Sequence, residues 1–193
     1  MSVPDRSIQT PVIEREVKLP YPDSESALRA VEATGAAPLR PARLQRDTLF
    51  DTPDGRLRAS GQVLRVRDDG GRGFLTVKGP VGRGSMKVRE EQETTVDDVR
   101  VLEAAFRALG LVVGFRYEKY RAEYALPGVT LTIDDTPVGV FVELEGEEAA
   151  ILGAARAMGR MPDEFILDSY RSIFLARQQT FGLSGPDMLF PRA

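Results

Sequence analysis

The sequence predicts an α+β domain: about eight antiparallel strands, able to close into a barrel, with helices packed on the outside. Three observations carry this. Short segments alternate charged and apolar residues with the period of two that belongs to strands. Between them lie stretches whose apolar residues recur at helical spacing. Turn residues separate the segments at short intervals, with no interior linker and no solenoid repeat. At 193 residues, 42% hydrophobic and 28% charged, the chain has room for one domain with a sizeable core.

Residues 1–11 read as a loose tail. Ile13 to Leu19 is the first strand and ends at Pro20-Tyr21-Pro22. Ser24 is placed to cap a helix to about Thr34, with Ala27, Leu28 and Val31 at helical spacing and Gly35 as its stop. Gln45 to Asp51 is a strand, followed by the turn Thr52-Pro53-Asp54-Gly55. Val63 to Asp68 and Gly73 to Lys78 form a hairpin around Asp69-Gly70-Gly71. Met86 to Thr95 is a further strand. Asp97 then caps a helix whose Val99, Leu102, Phe106 and Leu109 make an apolar stripe. Phe115 to Leu126, Thr130 to Asp134 and Val140 to Glu145 are three more strands. Helices over Glu147–Met158 and Asp168–Gln178 complete the fold. The domain thus covers residues 12–179, and residues 180–193 read as a second tail.

Composition narrows the chemistry. A formal net charge of −3 argues against a nucleic-acid coat protein. No segment approaches the roughly 20 apolar residues of a membrane span. Met1 to Pro11 lacks the apolar run of a secretory signal, so a cytoplasmic address is expected. Cysteine, histidine and tryptophan are absent. That removes disulfides, Cys/His zinc sites and histidine-based acyl transfer. Carboxylates, lysine, arginine, tyrosine and oxygen-ligated metals remain. The only lysines are Lys18, Lys78, Lys87 and Lys119, each within a predicted strand.

Parity then sorts the charges. One face collects Glu14, Glu16 and Lys18; Arg65 and Arg67; Lys78; Lys87, Arg89, Glu91 and Glu93; Lys119 and Arg121; Asp134; and Glu143 and Glu145. The other collects Leu64, Val66, Leu75, Val77, Leu131, Ile133, Val140, Val142 and Leu144, which suits packing beneath helices. In an open sheet the charged face simply meets water. Two Glu-x-Glu pairs, however, create repulsion that a cation relieves. A closed barrel with such an interior must hold water, metal ions and a polyanion, since unpaired buried charges cost several kcal/mol. The glycine-rich segments 70–73 and 79–84 lack P-loop spacing and read as turns.

Glu14-x-Glu16-x-Lys18 resembles the opening signature of the CYTH superfamily, the triphosphate tunnel metalloenzymes. The likeness continues through Gln45-x-Asp47-Thr48, Leu64-Arg65-x-Arg67, Leu75-Thr76-x-Lys78-Gly79-Pro80 and Lys87-x-Arg89-Glu90-Glu91-x-Glu93. It extends to Lys119-x-Arg121, Asp134, Gly139-x-Phe141-x-Glu143-x-Glu145 and Ser169-Tyr170, covering roughly residues 12–178. The resemblance implies an eight-stranded antiparallel tunnel acting on triphosphates with Mg²⁺ or Mn²⁺. It makes Glu14, Glu16, Glu143, Glu145 and Asp134 metal ligands. It makes Arg65, Arg67, Lys78, Arg89 and Arg121 a triphosphate clamp, with Lys87 and Lys119 as further contacts or as partners in internal ion pairs. Glu91 and Glu93 either hold a second metal or orient basic residues. Lys18 either handles a proton or neutralises phosphate. The chain has Leu49 where many relatives have an aromatic, and only Arg171 and Arg177 as bases on its last helix.

Three functions follow from the likeness. The first is metal-dependent hydrolysis of inorganic triphosphate, thiamine triphosphate or a nucleoside triphosphate. The second is a class IV adenylate cyclase, converting ATP to cyclic AMP and pyrophosphate. The third is a non-catalytic polyphosphate- or nucleotide-binding module. The expected partner is a triphosphate-containing small molecule, with no nucleic acid and no membrane; a homodimer is left open.

Overall fold

A computed structural model of the protein describes residues 12–82 and 84–191; the tail expected over residues 1–11 lies outside them. The strands are β1 (Val12–Tyr21), β2 (Ala37–Asp51), β3 (Val63–Asp69), β4 (Arg72–Lys78), β5 (Lys87–Val96), β6 (Val112–Leu126), β7 (Val129–Thr136) and β8 (Gly139–Gly146). They close into a barrel in the order β1-β5-β4-β3-β2-β6-β7-β8, with every neighbouring pair antiparallel. At the β3–β4 hairpin, Gly70 and Gly71 take φ of 62° and 92°. A two-residue turn with both centres at positive φ needs glycine-like freedom and matches the strand twist.

Among the described residues five α-helices pack on the outside of the barrel: α1 (Ser24–Ala33), α2 (Arg56–Ala59), α3 (Val99–Ala108), α4 (Glu148–Ala157) and α5 (Tyr170–Arg177). The first cap is Asp23 rather than Ser24, its Oδ1 accepting from Ser26 N at 2.7 Å. The third helix is capped by Asp98 rather than Asp97, its Oδ1 accepting from the N–H groups of Arg100 and Val101. In both, the carboxylate with extended backbone reaches the amides two or three residues ahead.

The larger of two apolar clusters lies outside the barrel. Val17 and Leu19 of β1, Leu131 of β7 and Val142 and Leu144 of β8 pack against Val31 of α1 and Ile151 of α4, all fully buried. Each such side chain contributes about 1.5–3 kcal/mol of transfer free energy. That burial lets the barrel interior be something other than a dry core. Cover is one-sided, because Ile13 and Val77 of the remaining wall stay exposed. On that side Phe106 of α3 meets Phe50 edge-on at 5.2 Å.

Three further features depart from the sequence expectation. β2 starts at Ala37 instead of Gln45, pairing with β6 through register shifts near Pro38, Arg40 and Arg43. The turn after Asp51 leads into α2, which the Asp51 carboxylate organises by accepting from the N–H groups of Thr52, Leu57 and Arg58. Finally, Met188 is fully buried within the segment read as a tail. It bonds to β6 through Met188 N to Arg116 O and Glu118 N to Met188 O, both 2.9 Å. β7 pairs with β6 only from Tyr120 onward, so this segment takes up an otherwise open edge. Ile166 does the same for Lys18, beyond the end of β5 pairing at Glu16. No helix among the described residues is long and apolar enough to cross a membrane.

Candidate active site

The charged parity faces inward. A cavity of ≈1130 Å³ is lined by Glu14, Glu16, Lys18, Arg65, Arg67, Lys78, Lys87, Arg89, Lys119, Arg121, Glu143 and Glu145. Glu14 and Glu143, from opposite ends of the chain, therefore share one chamber. Asp134 sits in its wall, fully buried. Strand ends around Asp51 and Val63, the α2 loop and the start of α5 form its mouth.

Strand register builds one half of the site. Lys18 opposes Glu143 and Glu16 opposes Glu145 across β1 and β8; Glu16 also opposes Lys87 on β5. Lys18 Nζ lies 2.9 Å from Glu16 and 3.3 Å from Glu143. Lys87 forms a second ion pair with Glu16. Asp134 is the hub of the neighbouring wall. It accepts from Lys119 Nζ at 2.8 Å, Arg121 Nε at 2.6 Å and Tyr170 Oη at 2.6 Å. Arg121 bridges onward to Glu143. The Tyr170 ring stands 4.8 Å from Lys119 Nζ and 5.3 Å from Lys18 Nζ, within cation–π range.

The other half spans β1 and β5 to β2. Lys78 Nζ donates to Glu14 at 2.7 Å and pairs with Glu91 at 2.6 Å. Arg65 Nη2 donates to Thr76 Oγ1 at 3.0 Å and lies 3.4 Å from Glu93. Asp47, with no exposed side-chain surface, holds Arg67 Nε at 2.8 Å and Arg65 Nε at 3.5 Å. Arg89 is spent differently: it donates to the carbonyls of Gly79 and Gly61, tying together two turns.

Protonation follows from these contacts. Burial opposes charge on Lys18, but Glu16 and Glu143 outweigh it and hold the ammonium well above its usual range. Lys119 goes the other way, lowered to about 8 by burial and then by Arg121, against the pull of Asp134. Glu14 is raised to about 8, burial outweighing Lys78 and Glu16 adding repulsion, while Glu91 is lowered. Two carboxyls thus share one ammonium, and Glu14 keeps the proton. Glu145 is also raised, by burial of its charge and then by Glu16 and Glu143, against Lys78 and Arg121.

This donor set fits a hard divalent cation. Glu16 and Glu145 are directly opposed, Glu145 makes no ion pair among the described residues, and its ionised form is disfavoured. Carboxylate oxygens crowded in this way are what Mg²⁺ or Mn²⁺ would satisfy. Among the described residues no three acidic side chains already converge as a ligand set, because lysine and arginine hold most of them.

A family model for the CYTH domain matches residues 12–156, from the first Glu-x-Glu strand past the second. The chain belongs to the CYTH family. A protein of Methanocaldococcus jannaschii, provisionally named an adenylate cyclase, is 30% identical over 135 residues, or 69% of this chain and 77% of that protein. A solved structure from Pyrococcus horikoshii is 26% identical with a TM-score of 0.71, covering 81% of this chain and 96% of its own. A provisionally named adenylyl cyclase from Hippeastrum, described as having a dominant triphosphatase activity, shares the fold at 20% identity and TM-score 0.63, over 90% and 97% of the two chains.

Against the CYTH pattern, every residue expected at the site from sequence reaches the tunnel interior or its wall. Three others emerged from the structure. Asp47 was visible as part of a motif but had no role until its contact with both Arg65 and Arg67 appeared. Tyr117 lines the cavity, and its inward parity with Lys119 and Arg121 was the available signal. Tyr170, which with Ser169 closes the same series of motifs, likewise had no role until its hydroxyl proved to reach Asp134 from a helix far along the chain.

Proposed function

We propose that this CYTH domain hydrolyses a triphosphate (inorganic triphosphate, thiamine triphosphate or a nucleoside triphosphate) with Mg²⁺ or Mn²⁺. The observation that carries this reading is the meeting of two acidic pairs, Glu14/Glu16 and Glu143/Glu145, with Arg65, Arg67, Lys78 and Arg121 in one cavity. Glu16 and Glu145 would hold the cation, with Glu14 and Glu143 beside them; Asp134 could join only by releasing Lys119, Arg121 or Tyr170. When bound, such a cation neutralises phosphate charge and lowers the pKa of a coordinated water. Arg65 and Arg67 present guanidinium forks to phosphate oxygens, held in place by Asp47. Lys18, held protonated by Glu16 and Glu143 while they carry no cation, offers a fixed positive charge beside them. Enclosure by the barrel strengthens each of these contacts relative to water.

The test is product identification after incubating purified protein with tripolyphosphate, thiamine triphosphate or ATP and Mg²⁺ or Mn²⁺. Orthophosphate release supports hydrolysis, and its loss in Glu16→Ala and Glu145→Ala with the fold intact supports the metal role. Unchanged turnover in those variants sinks it. The name of the Methanocaldococcus relative favours a second reading, in which the ATP ribose 3′-hydroxyl attacks the α-phosphorus. Cyclic AMP with pyrophosphate would establish that instead. Retained binding without turnover would leave a binding module.

A further inference from the structure

One arginine of the cavity lining is turned away from the cavity. Arg89 is buried among the lining residues, yet its guanidinium rests on backbone at the mouth. Nε and Nη2 both donate to Gly79 O, at 2.9 Å and 2.6 Å, and Nη2 also reaches Gly61 O at 3.2 Å. Nη1 makes no hydrogen bond among the described residues.

The two carbonyls belong to different turns of the rim. Gly79 follows β4, and Gly61 lies in the segment 52–62 that carries α2. These turns touch, because a side chain at Gly61 would meet Pro80 at 3.3 Å. Gly55 and Gly61 bracket α2 at φ of 72° and 75°, where glycine moves freely. Between them only Leu57 is half-buried, and the rest is exposed. Two side chains tie the segment down: Asp51 accepts from the amides of Leu57 and Arg58, and Arg89 donates to Gly61. The second tie is the weaker, since its bond is the longest that Arg89 makes and shares a donor with Gly79.

We propose that Arg89 is a latch: a phosphate chain in the tunnel takes its Nη edge, Gly61 is let go, and the segment 52–62 swings about Asp51 to lay Arg58 against the occupant. The inference rests on the reading that the cavity holds a triphosphate. A phosphate oxygen is a charged acceptor and bonds a guanidinium more strongly than a peptide carbonyl does. Nε can stay on Gly79 while the Nη edge turns, so the Gly61 bond is the one given up. Arg58 lines the mouth and makes no ion pair among the described residues, which leaves its guanidinium free for the occupant. Arg58 is then a substrate-holding residue that occupancy itself brings into place.

The chain has no cysteine, so Ala59→Cys on α2 and Ala149→Cys on α4, both at exposed positions, place two spin labels and no others. Pulsed electron paramagnetic resonance then measures their separation in the full chain, with inorganic tripolyphosphate as probe and divalent metal withheld, while calorimetry follows binding. Saturating tripolyphosphate should shift the distance distribution by more than about 2 Å, the scale of a loop rearrangement on binding. Arg89→Met, which cannot donate, should show the shifted distribution without ligand and no further change with it. Gly61→Ala crowds Pro80 with Arg89 left in place, and should do the same. Arg58→Ala should bind tripolyphosphate about tenfold less tightly. Arg56→Ala, whose guanidinium pairs with Asp54, should bind as the parent does. Binding without a shift, the parent's shift retained in Arg89→Met or Gly61→Ala, or unchanged affinity in Arg58→Ala overturns the proposal. Absence of tripolyphosphate binding overturns the functional reading, and this inference with it.

Discussion

Replacing Asp134 with asparagine keeps its shape and removes its charge, and the hydrogen bonds around it set the expected cost. Three donors converge on this carboxylate: Lys119 at 2.8 Å, Arg121 at 2.6 Å and Tyr170 at 2.6 Å. Asparagine retains one acceptor but turns the other oxygen into a donor facing donors. Lys119 loses its carboxylate partner and Arg121 one of its two, Glu143 remaining; breaking a buried pair in this way typically costs about 3–5 kcal/mol. For a domain of this size each kcal/mol moves Tm by about 2–4 °C, so the metal-free variant should melt about 6–20 °C lower. Burial disfavours the charged carboxyl, but Arg121 and Lys119 hold its pKa below the usual range. Its stabilisation is therefore present above the unfolded value and is lost as pH falls through the lowered folded one. Thermal and urea unfolding of both proteins without metal, at pH 7 and again at successively lower pH, would measure this. The gap should narrow toward acid. A site that exists mainly to ligate metal behaves oppositely, since neutralising a crowded carboxylate relieves repulsion. Unchanged or increased stability of Asp134→Asn without metal would refute the hub argument.

Glu145→Gln should be neutral or stabilising by up to about 1 kcal/mol in metal-free protein at pH 7, because the raised carboxyl it replaces has no ion pair among the described residues; clear destabilisation by urea titration would contradict its assigned environment. Glu14, with a folded pKa of about 8, binds its proton more tightly than the unfolded chain does, near about 4.3. Its contribution is full at low pH and is lost as pH rises through the folded value, so Glu14→Gln should flatten metal-free stability between these limits. A slope identical to the parent's would count against it. Met188→Ala should cost about 2–5 kcal/mol, since the side chain is fully buried; a surface-like effect in urea would mean that the C-terminal segment does not hold β6.

Much of this fold was legible because a strand has only two faces. Once Glu14, Glu16 and Lys18 were assigned one parity, Lys87, Arg121 and Glu143 followed, and the apolar parity supplied Leu131, Val142 and Leu144 for the helices. The first half of β2 escaped because Pro38 and Pro41 interrupt donor continuity and its pairing slips register. The docking of Met188 and Ile166 escaped because a single residue beside a distant strand leaves no periodic trace. The state of Lys18 was likewise hidden. Its neighbours on β1 and β8 could be guessed, but whether burial or Glu16 and Glu143 prevails depends on distances of a few ångströms.

All four lysines of the described chain point into the tunnel, and the side-chain exposure of each is 11% or less. Arginine carries the basicity of the outer surface. Amine-directed reagents therefore meet a protein whose ε-amino groups are nearly all internal. A water-soluble acylating agent, followed by peptide mass spectrometry, would read the accessibility of the cavity directly. Slow modification at Lys18, Lys78, Lys87 and Lys119, slowed further by an occupying anion, would give an occupancy measurement that needs neither turnover nor an introduced probe.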